Sequence, residues 1–273
     1  MRRKNISTQS NELLSYFFGL NRVCFDYAEA FKVFPQANVS AVKELLSDMT
    51  KRGLLMRLKE GVYYMIPYDQ DAEAFMPDWH LVAGYLTGDT GHYIGYYSAL
   101  QIHSLITQPS MKEQIVVSRQ IRPSSITIRK VTFQFIYHNE DHFFGGRKMW
   151  IDHFTQVQCS DLEKTLIDCL FRPEYAGGIV EIAKALETSK NKIDFNKLLT
   201  YATRFKSQAV VKRLGFLLEL FEINTSIIDD LHKAKTASYI LLDPGLPESG
   251  KMRSRWSIRQ NLETETIKAA IFT

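Results

Sequence analysis

Two constellations in this sequence have residue types and spacings suited to metal chemistry. His138 and His142 stand four residues apart, with His153 and the acids Glu140, Asp141 and Asp152 close by. A histidine pair at this spacing binds zinc when both side chains lie on one helical face. Here the pair follows a β-prone run and leads into Gly145-Gly146, which predicts a loop, so no metal is expected. Asp161, Glu163, Lys164 and Asp168 carry the side chains of a metal-dependent nuclease. Such sites place an acid and a lysine two apart on a strand. Glu163 and Lys164 are adjacent, and on a helix they diverge by about 100°. Ser160-Asp161-Leu162-Glu163 reads instead as a capping box, with Glu163 at the third helical position.

Nucleophilic and phosphate-loop chemistry finds no support. Cys24, Cys159 and Cys169 have no C-x-x-C spacing and no evident histidine partner, and no G-x-S-x-G elbow occurs. Gly88-Asp89-Thr90-Gly91 and Gly145-Gly146-Arg147-Lys148 match neither a P-loop nor a dinucleotide fingerprint. The expectation is a non-enzymatic protein without a cofactor.

Binding chemistry is better represented. Residues 1–66 carry ten Lys/Arg against six Asp/Glu, whereas residues 67–273 carry equal numbers, so the whole net charge of +4 sits in the first quarter. Local basicity of this kind points to a polyanion partner. A second basic segment spans 188–213, where Lys190, Lys192, Lys197, Arg204, Lys206, Lys212 and Arg213 face one acid, Asp194. It is expected to be a second surface, for DNA or for an acidic partner, or simply a solvated helix face. Lys251, Arg253, Arg255 and Arg259 add a third basic stretch.

The elements that must position these charges follow from periodicity. Thr8 or Ser10 caps a first helix running to Phe18, a second spans about 25–32, and a third runs from Asn38 to Arg52. In the third, Val39, Val42, Leu45, Leu46 and Met49 form one apolar stripe. Leu54–Leu58 and Val62–Ile66 flank Lys59-Glu60-Gly61 as a hairpin. Three helices and a hairpin in about 60 residues is the order of a winged helix-turn-helix. Opposite the stripe lie Ser40, Lys43, Glu44, Ser47 and Lys51, which would face a major groove. Arg57 and Lys59 on the wing, and the arm Arg2-Arg3-Lys4, would reach phosphates or a minor groove.

Residues 67–78, acidic and bounded by Pro67 and Pro77, read as a linker. The remainder, 79–273, mixes both element types. Helices are expected over 79–86, 98–105, 161–170, 179–186, 194–205 and 207–222. Strands are expected over 114–118, 126–137, 154–159, 239–243 and 255–259. Fold class is therefore α+β, an N-terminal winged helix-turn-helix followed by a larger mixed α/β domain. Length agrees, since 273 residues predict about two domains. With 45% hydrophobic and 23% charged residues, disordered, collagenous and coiled-coil classes are excluded. No apolar run reaches the roughly 18 residues of a membrane span. No leader follows the basic start, and a cytoplasmic location is expected.

Several stretches resemble AbiE-type antitoxins. Lys51-Arg52-Gly53-Leu54-Leu55 through Gly61-Val62-Tyr63 resembles their helix-to-wing passage, and Ala99-Leu100-Gln101-Ile102-His103 their Ala-Leu-x-x-His helix. Ser160-Asp-Leu-Glu-Lys-Thr-Leu-Ile-Asp-Cys-Leu-Phe-Arg-Pro-Glu-Tyr-Ala-Gly-Gly178 is similar to their central Glu-x-Thr-Leu-x-Asp…Arg-Pro-Glu…Gly-Gly motif. Lys212 to Glu219 and the ending around Leu242-Asp243-Pro244 and Ser254-Arg255-Trp256 are also similar. The order of these motifs spans nearly the whole chain. The resemblance implies the antitoxin of a bacterial abortive-infection operon. Such a protein represses its own promoter at inverted repeats through the winged helix, and its C-terminal domain serves to neutralise a nucleotidyltransferase-like toxin. The central motif has no implied catalytic role, and Arg172 is expected to pair with Asp168 one turn back. Two rival readings remain: a nuclease or transferase targeted to DNA, and a module that binds a toxin through the 188–213 face. The aromatic stretch His138 to Phe144 fits none of the three.

Overall fold

The structure is a computed structural model that describes residues 5–106, 108–153 and 155–272. It is a mixed α+β protein in two compact units, one of residues up to 89 with 127–131 and one of residues 90–126 with those from 132 onward. No helix among the described residues is long and apolar enough to cross a membrane.

The first unit runs α1 (Thr8–Gly19), β1 (Cys24–Asp26), α2 (Tyr27–Val33), α3 (Val39–Lys51), β2 (Leu55–Lys59), β3 (Val62–Met65) and α4 (Trp79–Thr87). Capping sets the helix starts. Ser7, rather than Thr8 or Ser10, caps α1 by accepting from the Ser10 N–H at 3.2 Å. Asn38 caps α3 by accepting from Ala41 N–H at 2.7 Å. Phe25 and Asp26, expected to open the second helix, belong instead to the short strand β1. Cys24 pairs with Tyr64 of β3, and Asp26 then caps α2 in a capping box with Glu29. The antiparallel sheet has the order β1-β3-β2. Its core gathers Leu13, Phe17, Phe25, Val42, Leu46, Met49 and Leu55, with the Phe17 and Phe25 rings stacked 4.4 Å apart. The segment expected as a linker belongs to this unit, as does α4. Met56 and Tyr64 are register partners, and the Phe75 ring lies 5.5 Å from that of Tyr64. Phe75 of this segment thus packs against β3, and no free linker begins at 67.

The chain continues with β4 (His92–Ile94), α5 (Tyr96–Ile102), β5 (Lys112–Val117), β6 (Ser125–Ile128), β7 (Val131–Tyr137), β8 (Gly146–Trp150), β9 (Gln156–Ser160) and α6 (Leu162–Phe171), all in the second unit except residues 127–131, the end of β6 and the start of β7, which belong to the first. There follow α7 (Ile179–Ser189), α8 (Phe195–Phe205), α9 (Gln208–Leu220), α10 (Ile227–Ala234), β10 (Ile240–Leu241), β11 (Lys251–Arg253), β12 (Ile258–Gln260) and α11 (Thr264–Ala269). A mixed six-stranded sheet has the order β6-β7-β5-β4-β9-β8, and a small one the order β10-β12-β11. The single strand expected over 126–137 is broken by Arg129, whose φ of 55° turns the chain between β6 and β7. Helices α6 to α9 share one apolar core with Tyr93, Val116, Ile136 and Trp256.

Candidate functional site

The third helix presents an apolar and a polar face, but Val39, expected on the apolar stripe, is 50% exposed in its first turn. Val42, Leu46 and Met49 are buried, while Ser40, Lys43, Glu44, Ser47 and Lys51 are exposed. The Lys43 ammonium lies 5.6 Å from the centre of the Tyr27 ring, and Tyr27 donates its hydroxyl hydrogen to the Val39 carbonyl at 3.0 Å. Neither Lys43 nor Lys51 is neutralised by an ion pair among the described residues. Arg57 is exposed on β2 and makes one long contact, Nε to the Lys59 carbonyl at 3.4 Å. Arg2 and Arg3 lie outside the described residues.

Lys59 departs from expectation. Its Nζ donates to the Leu86 carbonyl at the end of α4, at 2.7 Å. Partial burial lowers its pKa. The ammonium at the end of β2 is thus spent on an internal helix terminus, where the negative end of the helix dipole favours it. It is not a free phosphate contact.

The second basic surface is corrected more strongly. Lys212 has no accessible surface, and its Nζ is held by the Ser238 carbonyl and by the hydroxyls of Thr236 and Ser238 at 3.1 and 3.3 Å. Arg213 is buried on the same helix. It donates to the carbonyls of Leu170 at 2.7 Å, Leu242 at 2.9 Å, Leu241 at 3.1 Å and Phe171 at 3.4 Å. Desolvation brings its pKa down to about 10. Both side chains tie α9 to the chain around β10, and neither belongs to any surface. Of the others, Lys190 pairs with Glu187, and Lys206 with Asp141 at 3.4 Å. Arg204 stacks 4.0 Å from the Phe144 ring centre. Lys192 is exposed. What remains is a scatter of partly neutralised charges.

The carboxylates considered for nuclease chemistry separate. Asp161, not Ser160, caps α6, accepting from the Lys164 N–H at 2.9 Å. Glu163 therefore does not stand at the third helical position. It accepts from the Asp194 N–H at 3.0 Å and pairs with Lys197 at 2.8 Å, and Asp161 reaches the same Lys197 at 3.0 Å. Asp168 is wholly buried elsewhere. Its partner is Lys164, not Arg172, whose guanidinium lies over Phe171 and Tyr175 instead. Among the described residues no group of three or more His, Cys, Asp or Glu side chains could hold a metal ion.

Asp168 belongs to a polar centre in the middle of the second unit's core, which the sequence alone did not reveal. Lys164 Nζ, also fully buried, bonds Asp168 and donates to Tyr93 Oη at 2.8 Å. Tyr93 donates to Asp168 at 3.0 Å. The ammonium is boxed by the rings of Phe144, Phe205 and Tyr93 at 4.9, 5.0 and 5.2 Å. A Cβ on Gly145, at φ +73°, would lie 2.7 Å from the Lys164 Cβ, so glycine is required there. His138 is buried with Nε2 2.8 Å from Tyr96 Oη. Burial lowers its pKa to about 3. His142 stacks on Phe205 at 3.9 Å, with Nε2 3.0 Å from the Phe205 carbonyl. The His138–Phe144 stretch thus builds the cage around a buried charge. Desolvation raises Asp168 to about 6 and lowers Lys164, so burial opposes the charge on both partners.

No family model matches the chain, and no curated protein matches it. Among solved structures, the fold is similar to the crystal structure of the RV2827C protein from Mycobacterium tuberculosis. The TM-score is 0.71 at 14% identity, covering 100% of this chain and 97% of that one. At this identity the likeness is one of fold.

Proposed function

We propose that this chain is a non-enzymatic transcriptional autorepressor and the antitoxin of a bacterial toxin–antitoxin operon. The observation that carries the reading is the exposed face of α3. It offers Ser40, Lys43, Ser47 and Lys51 opposite a buried apolar stripe, with Arg57 exposed on the adjoining strand. The order α1-β1-α2-α3-β2-β3 with a β1-β3-β2 sheet supports a winged helix-turn-helix, in which α3 enters the major groove. Lys43, Lys51 and Arg57 then bind phosphates, while Ser40, Glu44 and Ser47 meet base edges. The antitoxin role is supported by the AbiE-like motifs, above all the Glu163-to-Gly178 stretch, which here supplies Lys164 and Asp168 to the fold. On this reading the second unit neutralises a nucleotidyltransferase-like toxin. A DNA-targeted nuclease is less favoured, because Asp168 and the Asp161–Glu163 pair do not share a site.

The test is a titration of the full chain against duplex DNA from immediately upstream of its own gene, with an unrelated duplex of equal length as control. A preference of about a hundredfold or more supports the reading. Equal, weak binding to both duplexes refutes a specific repressor.

A further inference from the structure

The first unit contains a cleft that neither the α3 face nor the buried centre accounts for. It encloses about 850 Å³, within the roughly 300–1,000 Å³ typical of small-molecule sites. Its walls are the last turn of α3, β2, the chain following β3, and residues 127–129 at the end of β6 and the turn after it. All of these residues belong to the first unit. Lys51, Arg52, Arg57 and Arg129 line it against two carboxylates, Asp71 and Glu73, an excess of two positive charges.

These cations differ in what holds them. Arg52 is committed to the fold: it donates to the Asn5 carbonyl at 2.7 Å and the Ser10 hydroxyl at 2.9 Å, and it pairs with Asp48 at 2.8 Å. Arg129 gives Nη2 to the Ala72 carbonyl at 2.6 Å, which anchors the guanidinium at the cleft wall. Lys51 and Arg57 are exposed. Two guanidiniums and an ammonium around one cleft suit a phosphate, since the planar fork bonds phosphate oxygens bidentately. The space exceeds what inorganic phosphate needs. Its remaining walls include the apolar Met56 and Ile128 and the ring of Tyr68, which is 61% exposed. An aromatic face of this kind takes a flat, partly apolar ring.

We propose that this cleft binds a nucleoside phosphate, with the phosphate on Arg57, Arg129 and Lys51 and the base against Tyr68. Binding itself does not rest on the DNA reading. One consequence does: Lys51 and Arg57 are shared with the DNA face, so nucleotide and operator compete, whereas Arg129 serves the nucleotide alone.

Calorimetric titration of the full chain with ATP, GTP, the corresponding nucleosides and inorganic phosphate tests this. The nucleotides should saturate, and the nucleosides and inorganic phosphate should bind at least about tenfold more weakly. Arg57→Ala, at an exposed position that cannot disrupt the core, should weaken nucleotide binding about tenfold, as should Arg129→Ala. Tyr68→Ala should weaken the nucleotides but not phosphate. Absence of saturation by either nucleotide up to about 10 mM overturns the proposal. So does unchanged affinity in the Arg57→Ala and Arg129→Ala variants, or phosphate binding as tightly as the nucleotides. If the nucleotides bind but leave DNA affinity unchanged, the cleft assignment stands and the shared use of Lys51 and Arg57 falls.

Discussion

Lys164 Nζ and the Asp168 carboxylate pair one turn apart on α6, and neither side chain reaches solvent. Such a pair contributes little net stability, because desolvating two charges offsets their attraction, but removing one partner strands the other. Asp168→Ala should therefore destabilise the protein by about 3–5 kcal/mol in denaturant unfolding, and Lys164→Met by less, since it leaves a carboxyl that can take a proton. The double variant Lys164→Met/Asp168→Leu should recover much of the loss. A double variant no better than Asp168→Ala would mean that the pair itself supplies the stability.

His138 gives the fold a pH dependence of defined sign. Its folded pKa, about 3, lies below the ordinary histidine value of 6.5 because burial disfavours the imidazolium. Its contribution is complete above pH 6.5 and is lost as pH falls from there towards 3, at up to about 1.4 kcal/mol per pH unit. Asp168 acts oppositely. Its folded pKa of about 6 exceeds the ordinary aspartate value of 3.8, so its contribution shrinks as pH rises between those values. Comparing His138→Gln with the parent at each pH isolates the histidine. The stability difference should narrow steadily below pH 6.5, and a constant difference from pH 7 to 4 would contradict it.

Arg213 separates structural from surface basicity. Replacement by alanine leaves the carbonyls of Leu170, Phe171, Leu241 and Leu242 without their donor. At about 1–3 kcal/mol for each buried unsatisfied group, the loss should be roughly 3 kcal/mol or more. Lys192→Ala, at an exposed position, should change stability by no more than about 0.5 kcal/mol. Equal, small effects in thermal unfolding would return Arg213 to the surface.

Gly215 in α9 sets helix propensity against packing. Alanine there gains about 1 kcal/mol of propensity. Its Cβ, however, would lie 2.2 Å from the Trp256 ring, and the ring is anchored because Trp256 Nε1 donates to Glu219 at 2.7 Å. Overpacking of this kind costs about 1–3 kcal/mol. A net destabilisation and a shifted tryptophan emission are expected. A stabilised variant would show that the ring moves freely.

Local signals in the sequence carried the first unit well. Asn38, the Val42–Leu46–Met49 stripe and Gly61 fix α3 and the hairpin from neighbours only a few residues away. β1 escaped because its pairing of Cys24 with Tyr64 is non-local and only three residues long. The buried centre was hidden for the same reason: Lys164 and Tyr93 are 71 residues apart, and nothing near Lys164 signals a cage. Charge counting misplaced Lys212 and Arg213 because α9 is buried on almost every side, so polar residues on it are drawn into the interior. Lys59 looked free because its acceptor, Leu86, lies in an element expected in the other domain.

We propose that the exposed face of α3 reads DNA. It is tested by the affinity of the full chain for the upstream duplex across a salt series, with Lys43→Ala/Lys51→Ala and Lys59→Ala as variants. Two lost phosphate contacts should lower the slope of log affinity against log salt by about 1.8 in the double variant. Lys59→Ala should leave the slope unchanged. A double variant that binds like the parent, at the same slope, would contradict the assignment of α3.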